Sequence, residues 1–170
     1  MSDDAKLGRP VLLDATYDTA DFDCGKPHLN EYLRRYAFEN QKSGKSRTYV
    51  ATRGEKVVVF YSLAPGAVAP PQVPARVARG QGSQDIPVIL LGRLAVRKEE
   101  QGRGLGAHML LDALRRAVEG AEVIGGRAVL VHAEDEEARD FYLRYGFEPS
   151  PTDDLHLLML MKDLRRTFGM

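Results

Sequence analysis

The stretch "QGRGLG", residues 101–106, follows the apolar run "VILLGRLAV" (88–96) and precedes "AHMLLDALRRAVEG" (107–120), whose apolar positions recur at helical spacing. A glycine-rich turn that opens a helix gathers unpaired backbone N–H groups at the positive end of the helix dipole, which is how many folds hold phosphate. Gly102, Gly104 and Gly106 supply the unusual dihedrals and the bare backbone that a close-lying diphosphate requires. The run before the turn is nearly unbroken in its apolar content, which predicts a strand covered on both faces and placed centrally in a sheet.

Two familiar phosphate motifs do not fit. A P-loop places lysine and then serine or threonine after its last glycine, whereas here Ala107 and His108 follow. A dinucleotide fingerprint spaces its glycines at the first, third and sixth positions of an early βα unit. Here the glycines are spaced in twos and arrive past the middle of the chain.

Working outward, "RAVLVHA" (127–133) predicts a strand, "DEEARDFYLRYG" (135–146) a helix and "LHLLMLMKDL" (155–164) a last strand. Upstream, "SRTYVAT" (46–52) and "KVVVFYSLAPGAV" (56–68), meeting at "RGEK", predict an antiparallel hairpin. "PGAVAPPQVPARVARGQGSQDIP" (65–87) reads as a loop with a short helical turn at Ala75–Ala78. In "DCGKPHLNEYLRRYAFENQKSG" (23–44), Pro27 marks a helix start and Gly44 a stop. Leu29, Tyr32, Leu33, Tyr36 and Ala37 form the apolar face between them. A meander followed by alternating strands and helices predicts an α/β (α+β) fold, a mixed sheet with helices on both faces. The turn at 101–106 then lies at the carboxyl end of the central strand, the ligand edge of open α/β sheets.

The chain has 170 residues, 44% hydrophobic and 28% charged, which predicts one soluble globular domain spanning 1–170. The start, "MSDDAKLGRP", carries acids where a secretion signal carries positive charge, and no stretch approaches a membrane span. A cytoplasmic location is expected, with no membrane partner. Cys24 is the only cysteine, so an intrachain disulfide is excluded, a metal site is not expected, and the thiol reads as a small apolar group. Net charge is zero, yet residues 34–56 hold seven basic side chains against two acids, and residues 119–140 seven acids against two arginines. Such polarity steers an anionic partner to one side, unless both faces are simply solvated.

At Gln101, Gly102, Arg103, Gly104, Leu105 and Gly106 the sequence resembles the GNAT acetyltransferase superfamily, whose acetyl-CoA diphosphate loop reads Gln/Arg-x-x-Gly-x-Gly/Ala. "ARDFYLRYGFEPS" (138–150) resembles the late helix and turn of the same family. The resemblance implies a mixed, mostly antiparallel central sheet and acetyl-CoA as cofactor. It implies that the loop residues 101–106 hold the diphosphate, with Phe141 also on the cofactor, and that backbone at Leu94, Ala95 and Val96 meets the pantetheine arm. Val96 N–H is then the donor to the developing oxyanion. Arg103 either adds a charge-assisted contact or stays solvated. Tyr142 is the expected catalytic side chain, since a neutral phenol can protonate the departing thiolate. Tyr145 is its rival, and a core aromatic is the alternative reading of Tyr142.

The acceptor amine is narrowed by a longer resemblance. Residues 22–51, "LGRLAV" (91–96) and "GFEPSP" (146–151) look like the GNAT toxins of type II toxin–antitoxin systems, which acetylate the α-amine of aminoacyl-tRNA. That resemblance implies a ribbon-helix-helix antitoxin and a homodimer. It also implies that Arg34, Arg35, Lys42, Lys45, Arg47 and Arg93, with Arg97 nearby, meet tRNA phosphates. A small-molecule or protein amine as acceptor, and a non-catalytic CoA-binding module, stand beside it.

Overall fold

The computed structural model describes residues 5–170, so the first four residues of the acidic start lie outside the described residues. A single sheet holds seven strands in the order β1-β2-β3-β4-β5-β7-β6. They are β1 (Val11–Leu12), β2 (Arg47–Arg53), β3 (Lys56–Val68), β4 (Ile86–Val96), β5 (Ala128–His132), β6 (Glu148–Pro149) and β7 (His156–Leu160). β4 and β5 run parallel, whereas β1/β2, β2/β3, β5/β7 and β6/β7 are antiparallel. The mixed, mostly antiparallel sheet expected from the resemblance is therefore present. Pairing of β4 with β5 ends at Leu91↔Val131, although β4 continues to Val96.

The helices are α1 (Pro27–Glu31), α2 (Ala37–Lys42), α3 (Ala75–Ala78), α4 (Leu105–Ile124), α5 (Glu136–Arg144) and α6 (Met161–Thr167). Between α1 and α2 the chain makes a π turn, Tyr32–Tyr36, closed by the Ala37 N–H donating to the Tyr32 carbonyl. This turn corrects the expected apolar face. One extra residue keeps Ala37 buried beside Tyr32 and Leu33 but rotates Tyr36 outward, where it is 48% exposed. The short helical turn expected at Ala75–Ala78 is α3.

Boundaries moved where the pattern was ambiguous. β3 matches the strand expected over 56–68, and the loop expected over 65–87 is confined to 69–85. The last strand stops at Leu160 rather than continuing to 164, because the chain turns into α6, whose buried Met161 and Leu164 lie one helical turn apart. The two-residue strands β1 and β6 were not foreseen.

The chain divides into two compact units. One comprises the chain up to Ala64 together with Gly92–Ala113; its core packs Phe22, Leu29, Tyr32, Leu33, Ala37, Val50, Val57, Phe60 and Ala95. Phe22 meets Phe60 edge-on at 5.4 Å between centroids, and buried Cys24 packs with them. Burial raises the Cys24 thiol above its ordinary value, consistent with an apolar role. The other unit comprises Pro65–Leu91 and Leu114–Met170, with Val68, Val73, Val77, Ile86, Val88, Ala128, Leu130, Leu158 and Leu160 in its core.

Candidate active site

In the first unit the chain leaves β4, makes a 3₁₀ turn at Lys98–Glu100 and enters α4 through Gln101–Gly104. Gly102 and Gly104 have φ of 82° and 83°, a region glycine enters at no steric cost, and a Cβ at either would meet nothing within 4 Å. Among the described residues, the amides of Gly102, Arg103 and Gly104 have no protein acceptor, while His108 N–H makes the first bond of the helix ladder, to Gly104 O at 3.0 Å. The amides of Leu105, Gly106 and Ala107 lack partners within α4 by construction. This run of unpaired donors at the head of a 20-residue helix fits a diphosphate.

Two expected cofactor contacts have other work. Gln101 turns its side-chain amide back, Nε2 donating to the carbonyls of Val96 at 2.9 Å and Cys24 at 3.0 Å, so it ties the turn to the strand end. Arg103 pairs with Glu100 at 3.3 Å while remaining largely exposed. Glu100 is buried and receives Arg53 in two parallel bonds, at 2.8 and 3.0 Å. The Arg53 hydrogen bonds hold the Glu100 carboxyl below its ordinary value, against the opposing effect of burial.

That depression gives a stability prediction. A carboxyl with a lowered folded-state value contributes stability above its unfolded value, about 4.3, and loses it as pH falls through the folded value. Glu100→Gln is expected to cost about 1.5–3 kcal/mol at neutral pH, the range for hydrogen bonds to charged groups. Urea unfolding at pH 7 and pH 3 checks this: the gap between wild type and variant closes at the lower pH.

Leu94, Ala95 and Val96 occupy the part of β4 beyond its last β5 partner. Arg97 corrects the expectation that it serves phosphate. It is 4% exposed, and its guanidinium donates to the Val57 carbonyl at 2.8 Å and pairs with Asp21 at 3.2 Å, which makes it a brace. The basic segment is smaller than its sequence suggests, because Arg53 and Lys56 are also internally paired, Lys56 with Asp21 at 3.0 Å. Arg35 pairs with Glu31 and Lys42 with Glu39, both exposed. Arg34 donates to the Phe22 carbonyl at 2.9 Å, whereas Lys45 and Arg47 are exposed and have no ion pair among the described residues.

In the second unit Asp135 caps α5, its side chain accepting from Ala138 N–H at 2.9 Å. Tyr142 is buried at 7% exposure, edge-on to Phe141 at 5.2 Å and to Phe147 at 5.3 Å between centroids. Thr48 Oγ1 is the one fully buried side-chain polar atom left without a partner among the described residues. The Tyr142 hydroxyl makes no hydrogen bond among the described residues. Burial, reinforced by the Glu134 carboxylate, pushes the phenol well above its ordinary value. Tyr142 therefore stays protonated at neutral pH, as a proton donor must. Tyr145 is 45% exposed, on the turn that Gly146 closes at φ 93°. His132 stacks on His156 at 3.9 Å, and burial followed by the His156 charge lowers its proton affinity. Among the described residues no group of three His, Cys, Asp or Glu could hold a metal, and no helix is long and apolar enough to cross a membrane.

The chain is an acetyltransferase: it belongs to the GNAT acetyltransferase family, whose domain model matches residues 44–149. It is 52% identical over 152 residues, 89% of this chain and 91% of the relative, to a tRNA-acetylating toxin of Mycobacterium tuberculosis. Among solved structures it resembles AtaT complexed with acetyl-methionyl-tRNAfMet, with a TM-score of 0.87 and 26% identity over 96% of this chain and 99% of that one. It also resembles a tyrosine-to-phenylalanine mutant of the AtaT toxin bound to acetyl-CoA and the C-terminus of the antitoxin AtaR, with a TM-score of 0.82 and 27% identity over 97% and 99% of the two chains.

Proposed function

We propose that this acetyltransferase moves an acetyl group from acetyl-CoA to the α-amine of aminoacyl-tRNA, and that it is the toxin of a toxin–antitoxin pair acting in the cytoplasm. The 52% identity to a tRNA-acetylating toxin over 89% of the chain carries the choice of acceptor. Acetyl-CoA, when bound, supplies an acetyl thioester. In the first unit the amides of Gly102–Gly106 hold the diphosphate, backbone at Leu94 and Ala95 orients the donor's arm, and Val96 N–H receives the developing negative charge on the carbonyl oxygen. In the second unit Phe141 packs on the donor and Tyr142 gives its proton to the departing sulfur. The new bond joins the α-nitrogen to the acetyl carbon, the carbon–sulfur bond breaks, and the nitrogen's surplus proton passes to water. An α-amine with a reference pKa near 8 is partly unprotonated at neutral pH and needs no strong base.

Arg34, Arg35, Lys42, Lys45, Arg47 and Arg93 remain the proposed tRNA-phosphate residues, and the free pair Lys45 and Arg47 carries more of that role than the internally paired Arg35 and Lys42. The solved complex of AtaT with the C-terminus of its antitoxin AtaR supports an antitoxin partner; the proposal extends this to a ribbon-helix-helix antitoxin covering the site and to a homodimer. The deciding experiment supplies acetyl-CoA and charged tRNA and reads the released amino acid by mass. An N-acetylated amino acid is expected; acetyl transfer to free amines with none to charged tRNA overturns the reading.

A further inference from the structure

Arg93 is half-buried, and among the described residues its charge has no carboxylate partner. Its guanidinium lies 3.8 Å from the centroid of the Tyr32 ring. Tyr32 is 5% exposed, opens the π turn and stacks on Phe60 in the core, so the ring is a fixed platform. Its hydroxyl shares a 3.0 Å hydrogen bond with Ser46 Oγ. Ser46 stands between Lys45 and Arg47, the two exposed cations without ion pairs. The Lys45 amide is itself tied to the Asn40 carbonyl at 2.8 Å. One fixed ring thus carries the uncompensated Arg93 guanidinium, and its hydroxyl is tied to the loop residue that separates Lys45 from Arg47. A half-buried guanidinium with only a ring face for company is desolvated without being neutralised, which favours an anionic ligand.

Resting on the acceptor proposed above, we infer that Tyr32 is a positioning residue whose ring holds Arg93 as a receptor for the phosphodiester nearest the 3′ end of the charged RNA. Position along β4 selects that phosphate. Arg93 lies three residues before Val96, roughly 10 Å at about 3.3 Å per residue. A phosphate much farther from the aminoacyl ester could not reach Arg93 while the amine meets the Val96 region. The planar fork of arginine, flattened on a ring, leaves its N–H edges free for two parallel bonds to phosphate oxygens.

The test measures kcat and KM for charged tRNA, and for a phosphate-free aminoacyl ester, in wild type, Tyr32→Phe, Tyr32→Leu, Arg93→Lys and Arg93→Gln. Thermal melting and acetyl-CoA binding monitor the fold. Tyr32→Leu and Arg93→Gln are expected to lower kcat/KM for charged tRNA about tenfold or more, mostly through KM, while the aminoacyl ester is handled as by wild type. Tyr32→Phe, which keeps the ring, retains most of the activity. The slope of log KM against log salt falls by about 0.7 in Arg93→Gln, one phosphate on a single strand. Equal losses on both acceptors, or an unchanged salt slope, mean that Tyr32 and Arg93 merely support the core and overturn the inference. If wild type fails on charged tRNA, the acceptor reading falls and this inference with it. If wild type succeeds and the Tyr32→Leu enzyme matches it, only the inference falls.

Discussion

Tyr142→Phe is expected to lower kcat for acetyl transfer by about 10²- to 10⁴-fold, the range general acids contribute, while acetyl-CoA affinity stays within about twofold of wild type. The substitution keeps the ring against Phe141 and Phe147, so packing is preserved and only the proton donor is lost. Burial and Glu134 hold the phenol above its ordinary value, and the sign of that shift fixes the pH profile. A raised value keeps the acid form present through neutral and mildly alkaline pH, so Tyr142 imposes no alkaline decline there. The wild-type rate should climb as the acceptor α-amine loses its proton near pH 8 and then level off. Stopped-time acetylation at saturating acetyl-CoA, from pH 6 to 9.5, reads both features. Comparable turnover by the Phe variant would remove Tyr142 from the chemistry and return attention to Tyr145, whose exposed position keeps it in water.

What the sequence disclosed follows from the range of the interactions involved. The turn at 101–106 and its flanking strand and helix were legible because glycine spacing and apolar runs are local signals. The point where β4 leaves its β5 partner was not, since it depends on pairing that stops at Leu91↔Val131, a register between distant segments. Arg97 looked like a surface cation beside the loop, yet its partners are the Val57 carbonyl and Asp21, 40 and 76 residues away. Nothing in "AVRKEE" marks which of its charges turns inward. Glu100 shows the same blindness: its partner Arg53 is 47 residues distant. The π turn escaped because a 3.6-residue period assigns Tyr36 and Ala37 to one face, and only an inserted residue separates them. The Tyr32–Arg93 pair was invisible for both reasons, as it needs that turn and a contact across the unit's core.

Gly104→Val is expected to weaken acetyl-CoA binding by about 10²- to 10⁴-fold while leaving a folded protein. Gly104 sits at φ 83°, which a branched side chain adopts only at a cost of roughly 1–2 kcal/mol or more, so the turn either strains or flips its peptides. A Cβ there meets nothing within 4 Å, so the core does not register the change. The turn, however, no longer keeps the backbone conformation that φ 82° at Gly102 and 83° at Gly104 gives its amides. Two charge-assisted bonds at about 1.5–3 kcal/mol each, at 1.4 kcal/mol per decade, give the expected range. Wild type should melt higher when acetyl-CoA is added, since a ligand at about 100 times its Kd stabilises by about 2.7 kcal/mol, and the variant should show almost none of that rise. Gly120→Ala, in the interior of the same helix with open space around its Cβ, should instead stabilise by about 0.5–1 kcal/mol and bind acetyl-CoA normally. Two glycines of one helix, one at its head and one in its body, would then respond with opposite signs. Normal acetyl-CoA binding by Gly104→Val would mean that the amide turn is not where the diphosphate rests.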